Sequence, residues 1–533
     1  MKQIYILTIF LTNIITLAAQ EHHSRFESID IQQYIFEIHL NDSTDKIEGK
    51  TTVFAKFLKP TQKATLDLVG FEGSTKTGMQ ISNILVDSIS TKYTHENNQV
   101  LLHFNKTYKP DECASVIIEY SGIPADGLVI SKNKFGDRTF FGDNWPDRAK
   151  HWLPTIDHPS DKASLEFRVF APEHYKVVSN GYLLKETTLK KGVKLTHWKE
   201  MIPIPTKLMV IGVARFEVKF IGIFNSIPVS TWVFPQNRDD GFLDYSTGGK
   251  PLKFFSEIIG QYSYEKLAHV QSKTRYGGME NAGCIFYSEK SVTGKNNLER
   301  LIAHETAHQW FGNSVTEQNW HHIWLSEGFA TYFTHVYKQN FYGEKIFREG
   351  LVNDRKKVIE FAYRNLLPVI DTTVTNYMRL LNANSYQKAS WFLQMLRERT
   401  GDSMFFESVQ EYYSVFKDST ALTNDFRNIA EKVSKQDLEA FFQQWLWQPG
   451  FPKINFEWKQ KSNKKLKLKI TQTQAEFLFT FPLDIELQLK NGKREIKKVI
   501  IDDWETEVLF QVEGKVENII LDPSVKLLFE IVQ

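Results

Sequence analysis

Two histidines and a glutamate near the middle of the chain have the spacing of a metal site. The segment reads His304-Glu305-Thr306-Ala307-His308. Residues four apart on an α-helix share one face, so both imidazoles can bind one metal ion. Glu305 then flanks a metal-bound water and can accept its proton. This H-E-x-x-H pattern is a signature of zinc peptidases, but it requires a third ligand.

Glu327 is the candidate for that third ligand. It stands in the segment 324–333, where a second apolar, helix-like stretch begins after a loop. Two neutral nitrogens and one carboxylate leave the fourth zinc position open to water, which separates a catalytic site from a closed structural one. The simpler alternative is that Glu327 is a solvated or helix-capping carboxylate.

The elements that must position these groups are two helices. The first is expected to run from Leu298 to Phe311, with Asn296 or Asn297 as its N-cap. Gly312, followed by asparagine, is expected to stop it shortly after residue 310. The second helix carries Glu327 near its start.

These residues, together with a second motif, resemble the zinc aminopeptidases of the M1 family, related to aminopeptidase N and leukotriene A4 hydrolase. Glu327 follows His308 after eighteen residues, and residues 277–281, Gly-Gly-Met-Glu-Asn, match that family's Gly-x-Met-Glu-Asn signature. The resemblance implies one zinc ion per chain, bound by His304, His308 and Glu327. It also implies that Glu305 is the general base and acid.

The same resemblance implies that Glu280 binds the free α-ammonium group of a peptide. Gly277 and Gly278 let the backbone approach an extended substrate closely, and a carboxylate can pair with a positive charge. Met279 and Asn281 complete this candidate substrate-binding segment. The expected partners are therefore peptides with a free amino terminus. The alternative is a structural turn before a strand predicted from Cys284 to Tyr287.

A further resemblance concerns Tyr386. Residues 386–389, Tyr-Gln-Lys-Ala, are similar to the family's Tyr-x-Lys-Gly helix start, with Ala389 in place of glycine. The resemblance implies that Tyr386 donates a hydrogen bond to the oxyanion that forms during hydrolysis. Such a donor contributes about 3 to 4 kcal/mol in other oxyanion holes.

The family stretch that ends in Pro-x-x-Asp-x-Pro is also present, ending here at Pro159. An upstream glutamine of the family helps to bind the substrate's amino terminus, and this chain has no glutamine there. Asp143 or Asn144 takes the equivalent place, with Asp143 preferred because a carboxylate holds a cation more strongly. The alternative is a turn aspartate that supports the loop.

The composition is that of a globular protein with 42% hydrophobic and 24% charged residues. The net charge of +2 gives no reason to expect nucleic acid or an anionic membrane as a partner. The two cysteines, Cys113 and Cys284, lie far apart in sequence and are expected to be free thiols.

The first twenty residues have the layout of a secretory signal peptide. Lys2 precedes an apolar run from Ile4 to Leu17, and Ala18 and Ala19 follow it. Residues 1–20 are therefore expected to be cleaved from an exported protein, periplasmic or secreted, without a stable membrane anchor. An uncleaved anchor is the alternative, although the run is shorter than the ~20 residues of a span.

Three domains are expected after this leader, which makes the fold class multidomain. Residues 21–217 alternate with period two and predict an antiparallel β domain, which the resemblance makes a saddle-shaped module. Residues 218–449 change to helical spacing, and the resemblance implies a thermolysin-like α+β zinc metallopeptidase domain. Residues 450–533 predict a small β sandwich with a hairpin at Asn491-Gly492. The long helical domain of many relatives is not expected to follow.

The sequence therefore predicts an exported zinc aminopeptidase. A thermolysin-like zinc endopeptidase is the alternative within the enzyme class, and the Gly-x-Met-Glu-Asn match argues against it. A catalytically idle peptide-binding protein on the same fold is the alternative from another class. All the residues whose loss would indicate it are present.

Overall fold

The structure is a computed structural model that describes residues 27–462 and 464–532. The expected signal peptide, residues 1–20, lies outside the described residues. The chain forms two compact units. The first contains the described residues up to Glu257, with Gln261–Asn319 and Phe416–Thr420, and the second contains Ile258–Gly260, Trp320–Val415 and the residues from Ala421 onward.

The first unit begins with β structure, as the alternating pattern predicted. An eight-stranded sheet contains, in spatial order, Tyr182–Thr188, Val193–Pro205, Lys162–Pro172, Ile29–His39, Ile47–Phe57, Cys113–Ile123, Gly78–Val86 and Ile89–Ser90. A three-stranded sheet contains Thr61–Asp67, Gln99–Tyr108 and Lys92–Glu96, and a four-stranded sheet contains Lys176–Ser179, Ile211–Ala214, Arg138–Gly142 and Leu128–Lys132.

Alternation along the strand Ile29–His39 shows why these residues form a sheet. Tyr34, Phe36 and Ile38 are buried on one face, while the residues between them are at least partly exposed. Burying one face of a strand favours an extended chain because side chains alternate with period two. The large sheet is antiparallel except for one parallel pair, Ile29–His39 beside Lys162–Pro172.

A five-stranded sheet begins at residue 217. Its strands are, in spatial order, Glu217–Phe224, Ile227–Val233, Leu267–Ser272, Cys284–Ser288 and Gly278–Met279. The strand predicted from Cys284 to Tyr287 is therefore confirmed. The α-helices Arg238–Asp244, Gly249–Ile258 and Glu299–Ala307 and the short strand Thr316–Glu317 complete this part of the chain.

Aromatic side chains join the first β sheets to the five-stranded sheet inside the first unit. Phe141 and Phe286 are both completely buried, and their rings meet edge to face with centroids 5.5 Å apart. Phe216 packs against Trp232 and Phe234 in the same region. Such contacts add to the free energy of burial, and they couple the two sets of strands into one core.

The second unit is helical in its first half. Its α-helices are Trp324–Tyr342, Glu344–Ala362, Ala389–Thr400, Asp402–Phe416, Thr423–Ser434 and Glu439–Phe442, with π-helical turns at Asn384–Lys388 and Gln443–Trp447. Short 3-10 turns occur in both units, at Ala149–His151, Lys190–Gly192, Thr206–Leu208, Pro235–Asn237, Glu289–Ser291, Trp320–His322 and Tyr377–Leu380. Trp324 and Phe392 meet edge to face at 5.2 Å in the helical core.

The last strands form two small sheets, as expected for a β sandwich. One contains Glu505–Gln511, Lys465–Gln472, Lys453–Ser462 and Glu530–Ile531, and the other contains Arg494–Ile501, Phe481–Leu489 and Val516–Leu521. Gly492 has a positive φ of 82°, so the hairpin predicted at Asn491-Gly492 is confirmed. Lys467 and Lys469 pair with Glu507 and Glu505 on the neighbouring strand.

The remaining expectations concern cysteines, membranes and boundaries. Cys113 is exposed and Cys284 is buried, and both are free. In the described part of the chain, no helix combines the length and apolarity needed to cross a bilayer. The domain boundaries placed at residues 217 and 449 stay predictions.

Candidate active site

The helix that carries His304 runs from Glu299 to Ala307, and His308 is its C-cap. It is therefore shorter than the predicted span, although the His308 amide still bonds to the His304 carbonyl at 3.3 Å. The predicted N-cap is wrong, because Leu298 takes that position without a side-chain hydrogen bond. Asn296 instead has a left-handed backbone, and its amide donates to Asp244.

The imidazoles of His304 and His308 face each other. Their Nε2 atoms are 3.2 Å apart. Tetrahedral ligands that each stand about 2.0–2.1 Å from zinc are separated by about 3.3 Å, so this distance fits two ligands of one ion. The Nδ1–H of His308 lies 3.1 Å from the Phe311 carbonyl, an acceptor that selects the tautomer with a free lone pair on Nε2.

Glu327 lies in the first turn of the helix Trp324–Tyr342, as the sequence predicted for this segment, and it is buried. Within the first unit, Glu280, Glu305 and His308 bring one ligand atom each within 4.8 Å of one another. His304 and His308 supply two nitrogens of a donor set that suits zinc, and the place of Glu327 as the third ligand stays a prediction.

The segment that carries Glu280 is held in place through its own backbone. The Glu280 carbonyl accepts hydrogen bonds from Gln309 Nε2 at 2.7 Å and from Asn313 Nδ2 at 2.6 Å. The Ala282 carbonyl accepts another from Asn180 Nδ2 at 2.8 Å. Because Gln309 and Asn313 follow His308 closely, these bonds tie the Glu280 segment to the end of the helix that carries the histidines.

The two glycines of this segment have different surroundings. A Cβ atom added to Gly278 would collide with the Glu305 carboxylate, whereas at Gly277 the nearest atom would be Leu301 Cδ1 at 4.0 Å. Gly278 therefore leaves room for the carboxylate predicted to act as general base. Met279 and Asn281 are both buried, and Met279 pairs with Phe286 on the neighbouring strand.

A buried ion pair lies in the same unit. Lys207 and Glu317 are bonded to each other, and their side chains are 1% and 0% exposed. Burial raises the pKa of the Glu317 carboxyl, an effect that Lys207 opposes and nearby Glu280 adds to.

A half-buried lysine holds the turn that follows the histidines. The ammonium group of Lys162 donates to the carbonyls of Asn313, Ser314 and Ser419. Burial lowers the pKa of Lys162 to about 7. Two of these carbonyls belong to Asn313 and the residue after it, so Lys162 holds the backbone at Asn313, whose side chain bonds to the Glu280 segment.

Tyr386 lies in the π-helical turn Asn384–Lys388, which continues into the α-helix Ala389–Thr400. The side chain of its neighbour Lys388 is buried, and its ammonium group donates to the Gln448 carbonyl at 3.0 Å. Burial lowers the pKa of Lys388 to about 7. The predicted helix start is thus present, and the role of Tyr386 stays a prediction.

The structure gives Asp143 and Asn144 partners within the protein. Asp143 is completely buried, and its Oδ1 accepts a hydrogen bond from Arg148 Nη2 at 2.7 Å. The Asn144 amide donates to the carbonyls of Thr206 and Met209, and its oxygen accepts from Trp152. These contacts favour the supporting role that the sequence left open, and the predicted contact with a substrate amine stays untested.

Several residues that shape the site were not singled out from the sequence. Gln309 and Asn313 follow the H-E-x-x-H motif closely, and that proximity was the available signal. Asn180, Lys207 and Glu317 had no such signal, because their partners are remote in sequence. Lys207 and Glu317, for example, are separated by 110 positions.

Comparison with known proteins identifies the family of this chain. The N-terminal domain of peptidase family M1 matches residues 30–208, and the peptidase family M1 domain matches residues 244–445. The chain belongs to peptidase family M1. Its N-terminal β domain, α+β peptidase domain and C-terminal β strands agree with the predicted fold class.

Three relatives illustrate this similarity. Glutamyl aminopeptidase of Rattus norvegicus is 28% identical over 338 residues, which cover 61% of this chain and 36% of the relative. Probable aminopeptidase 2 of Sulfurisphaera tokodaii is 27% identical over 397 residues, 71% of this chain and 50% of the relative. Leucyl aminopeptidase of Saccharolobus solfataricus is 27% identical over 321 residues, which cover 57% of this chain and 40% of the relative. The chain thus spans half or less of the length of these relatives.

Proposed function

We propose that this protein is a zinc-dependent aminopeptidase that removes the first residue from peptides with a free amino terminus. The observation that carries the proposal is the group formed by Glu280, Glu305 and His308, whose ligand atoms lie within 4.8 Å of one another. A carboxylate that can bind an ammonium group is therefore adjacent to the proposed general base and to a proposed metal ligand.

The short distance between Glu280 and Glu305 selects the first peptide bond. In an amino acid the ammonium nitrogen and the carbonyl carbon are only about 2.5 Å apart, whereas the next carbonyl of an extended chain is about 3.5 Å farther on. A peptide held by its ammonium group at Glu280 therefore presents its first carbonyl to Glu305. The second carbonyl falls outside the reach of the same groups.

His304, His308 and Glu327 would bind the zinc ion. When bound, zinc supplies a Lewis acid for the substrate carbonyl and lowers the pKa of a water molecule. Glu305 would accept a proton from the attacking water and pass it to the leaving amine. Tyr386 donates a hydrogen bond to the carbonyl oxygen as negative charge develops there.

A peptide with a blocked amino terminus is a poor substrate in this scheme. It would leave the Glu280 carboxylate, which is 6% exposed, without a cationic partner in the bound complex. Burying an uncompensated carboxylate costs several kcal/mol. Two relatives are named for different first residues, glutamyl in one and leucyl in the other. We therefore assign no preferred first residue to this protein.

The test compares aminoacyl p-nitroanilides with their N-acetylated forms, with and without a zinc chelator. We expect turnover of the free forms alone, lost with chelator and restored by added zinc. Glu280→Gln should lower kcat/KM for the free forms by about 10- to 100-fold, because a charge-assisted hydrogen bond contributes about 1.5 to 3 kcal/mol. Equal turnover of both forms would support the endopeptidase instead, and peptide binding without turnover would support the idle binding protein.

The proposal includes export of the protein, to the periplasm or out of the cell. It rests on the apolar run and the small residues at positions 1–20. Mass spectrometry of the protein recovered from its native host should find a mature chain that begins close to Gln20. Recovery of the intact leader on protein from a membrane fraction would contradict cleavage.

A further inference from the structure

We propose that Asp143 is a positioning residue that holds the segment Thr274–Tyr276 and thereby sets the position of Glu280. The segment leads directly into residues 277–281, so its placement determines where the Glu280 carboxylate meets a substrate ammonium group. This inference rests on the proposed function, because Asp143 can position Glu280 for a substrate only if Glu280 binds the substrate's ammonium group.

The first observation is how Asp143 is fixed. It follows the strand Arg138–Gly142, and its amide donates to the Gly127 carbonyl at 2.7 Å. Its Oδ1 is ion-paired with Arg148, whose Nε also donates to the Trp145 carbonyl at 2.7 Å. Asp143 is thus a completely buried carboxylate at the end of a strand, held by its own amide and by Arg148.

The second observation is what the other carboxylate oxygen faces. Asp143 Oδ2 lies 3.4 Å from the backbone N–H of Arg275 and 3.5 Å from the Thr274 hydroxyl. The Thr274 hydroxyl oxygen in turn accepts from the Tyr276 amide at 3.3 Å. One buried carboxylate therefore connects to the backbone of the residues that precede Gly277.

The third observation is a closed ring of alternating charges. Arg148 and Arg275 both donate to Asp126 Oδ1, at 3.0 and 2.8 Å. Arg275 Nε is also 3.7 Å from Asp143 Oδ2, which completes the ring. Two aspartates and two arginines neutralise one another, so the ring can hold the segment without leaving a net charge beside Glu280.

These contacts favour positioning over direct contact with the substrate. A substrate ammonium group could reach the Asp143 carboxylate only by displacing Arg148 or Arg275. The Tyr276 hydroxyl lies in the field of both the ring and Glu280, which is consistent with a segment that spans from one to the other. Trp145 packs edge to face on Tyr276 at 6.3 Å and supports the same segment from the side.

The test uses the full-length Asp143→Asn variant, with hydrogen exchange and kinetics as readouts. We expect faster exchange in peptides that cover residues 274–281, and a KM for aminoacyl p-nitroanilides raised by about 10-fold with kcat changed less than about threefold. Thr274→Val removes a single hydroxyl and should shift both readouts in the same direction, by less. If Asp143→Asn does not fold, the Thr274→Val variant tests the positioning role by itself.

The matched control is Asp522→Asn in the other unit. Asp522 is also a buried aspartate, with a side chain 3% exposed and an ion pair of 2.9 Å to Arg355. This variant should lower the melting temperature without changing KM or exchange at residues 274–281. If Asp143→Asn and Thr274→Val leave exchange there at the wild-type rate, the inference is overturned.

The two proposals fail in different ways. Wild-type protein that does not turn over the free aminoacyl substrate contradicts the proposed function, while exchange at residues 274–281 still tests Asp143. Wild-type turnover with unchanged KM in both variants contradicts the positioning role alone.

Discussion

The Nε2 atoms of His304 and His308 lie 3.2 Å apart on adjacent turns of the chain. This separation fits two imidazole nitrogens that bind one cation, because the ligands of a tetrahedral zinc ion stand about 3.3 Å apart. His308 is also oriented by the Phe311 carbonyl.

Replacing His308 with alanine should therefore remove the metal. We expect zinc affinity to fall by more than about 100-fold, because loss of an outer-shell partner alone costs about 10- to 100-fold. Metal content after dialysis, measured by atomic emission, checks this. His95→Ala is the control, since the His95 ring bonds to the Leu68 carbonyl among the N-terminal strands. Equal zinc content in both variants would contradict the ligand role of His308.

Replacing Tyr386 with phenylalanine removes one hydroxyl and should lower kcat with little change in KM. A single oxyanion donor contributes about 10²- to 10³-fold to kcat, because its hydrogen bond strengthens only as charge develops. Steady-state kinetics on the best free aminoacyl substrate measure the effect. Tyr377→Phe is the control, because the Tyr377 ring packs on Trp320 and should keep kcat within about threefold. A Tyr386→Phe variant with wild-type kcat would exclude the tyrosine from the reaction.

Replacing Lys207 with methionine leaves Glu317 buried without its cation. Breaking a buried ion pair from one side costs about 3 to 5 kcal/mol, so the melting temperature should fall by several degrees. Adding Glu317→Gln should recover much of that loss, because the remaining group is then neutral. Thermal unfolding of the single and double variants decides this, and a double variant less stable than Lys207→Met would show that the charge is not the cause.

Asp161 predicts a pH-dependent difference in stability. Burial raises the pKa of this carboxyl to about 8 in the folded protein, whereas the unfolded chain releases the proton near its ordinary value of 3.8. The folded state therefore binds more protons between these values, and the contribution of Asp161 to stability falls as the pH rises from about 4 to 8. An asparagine side chain at this position cannot ionise, so the Asp161→Asn variant does not lose this contribution to stability as the pH rises.

Asp161→Asn should accordingly be more stable than the wild type at pH 8.5, and this advantage should shrink towards pH 5. Melting temperatures of the two proteins at pH 5, 7 and 8.5 measure it. All other titrating groups are common to both proteins, so the difference isolates this carboxyl. A difference that stays constant across the pH series would mean that Asp161 keeps an ordinary pKa.

The sequence alone determined the features that depend on local periodicity. His304 and His308 face each other because four residues make about one helical turn, and Tyr34, Phe36 and Ile38 are buried together because strands alternate with period two. The Asn491-Gly492 hairpin followed from the positive φ that glycine permits.

Only the tertiary structure decided which buried charges meet and which residues support the site. Asp143 pairs with Arg148 and faces Arg275, Lys207 pairs with Glu317, and Gly278 makes room for Glu305. Each of these depends on how remote segments pack, and a side chain's type and local spacing do not specify its partner. These partners matter because they are buried: a charge removed from water is costly unless an opposite charge lies beside it, and the fold decides which one does.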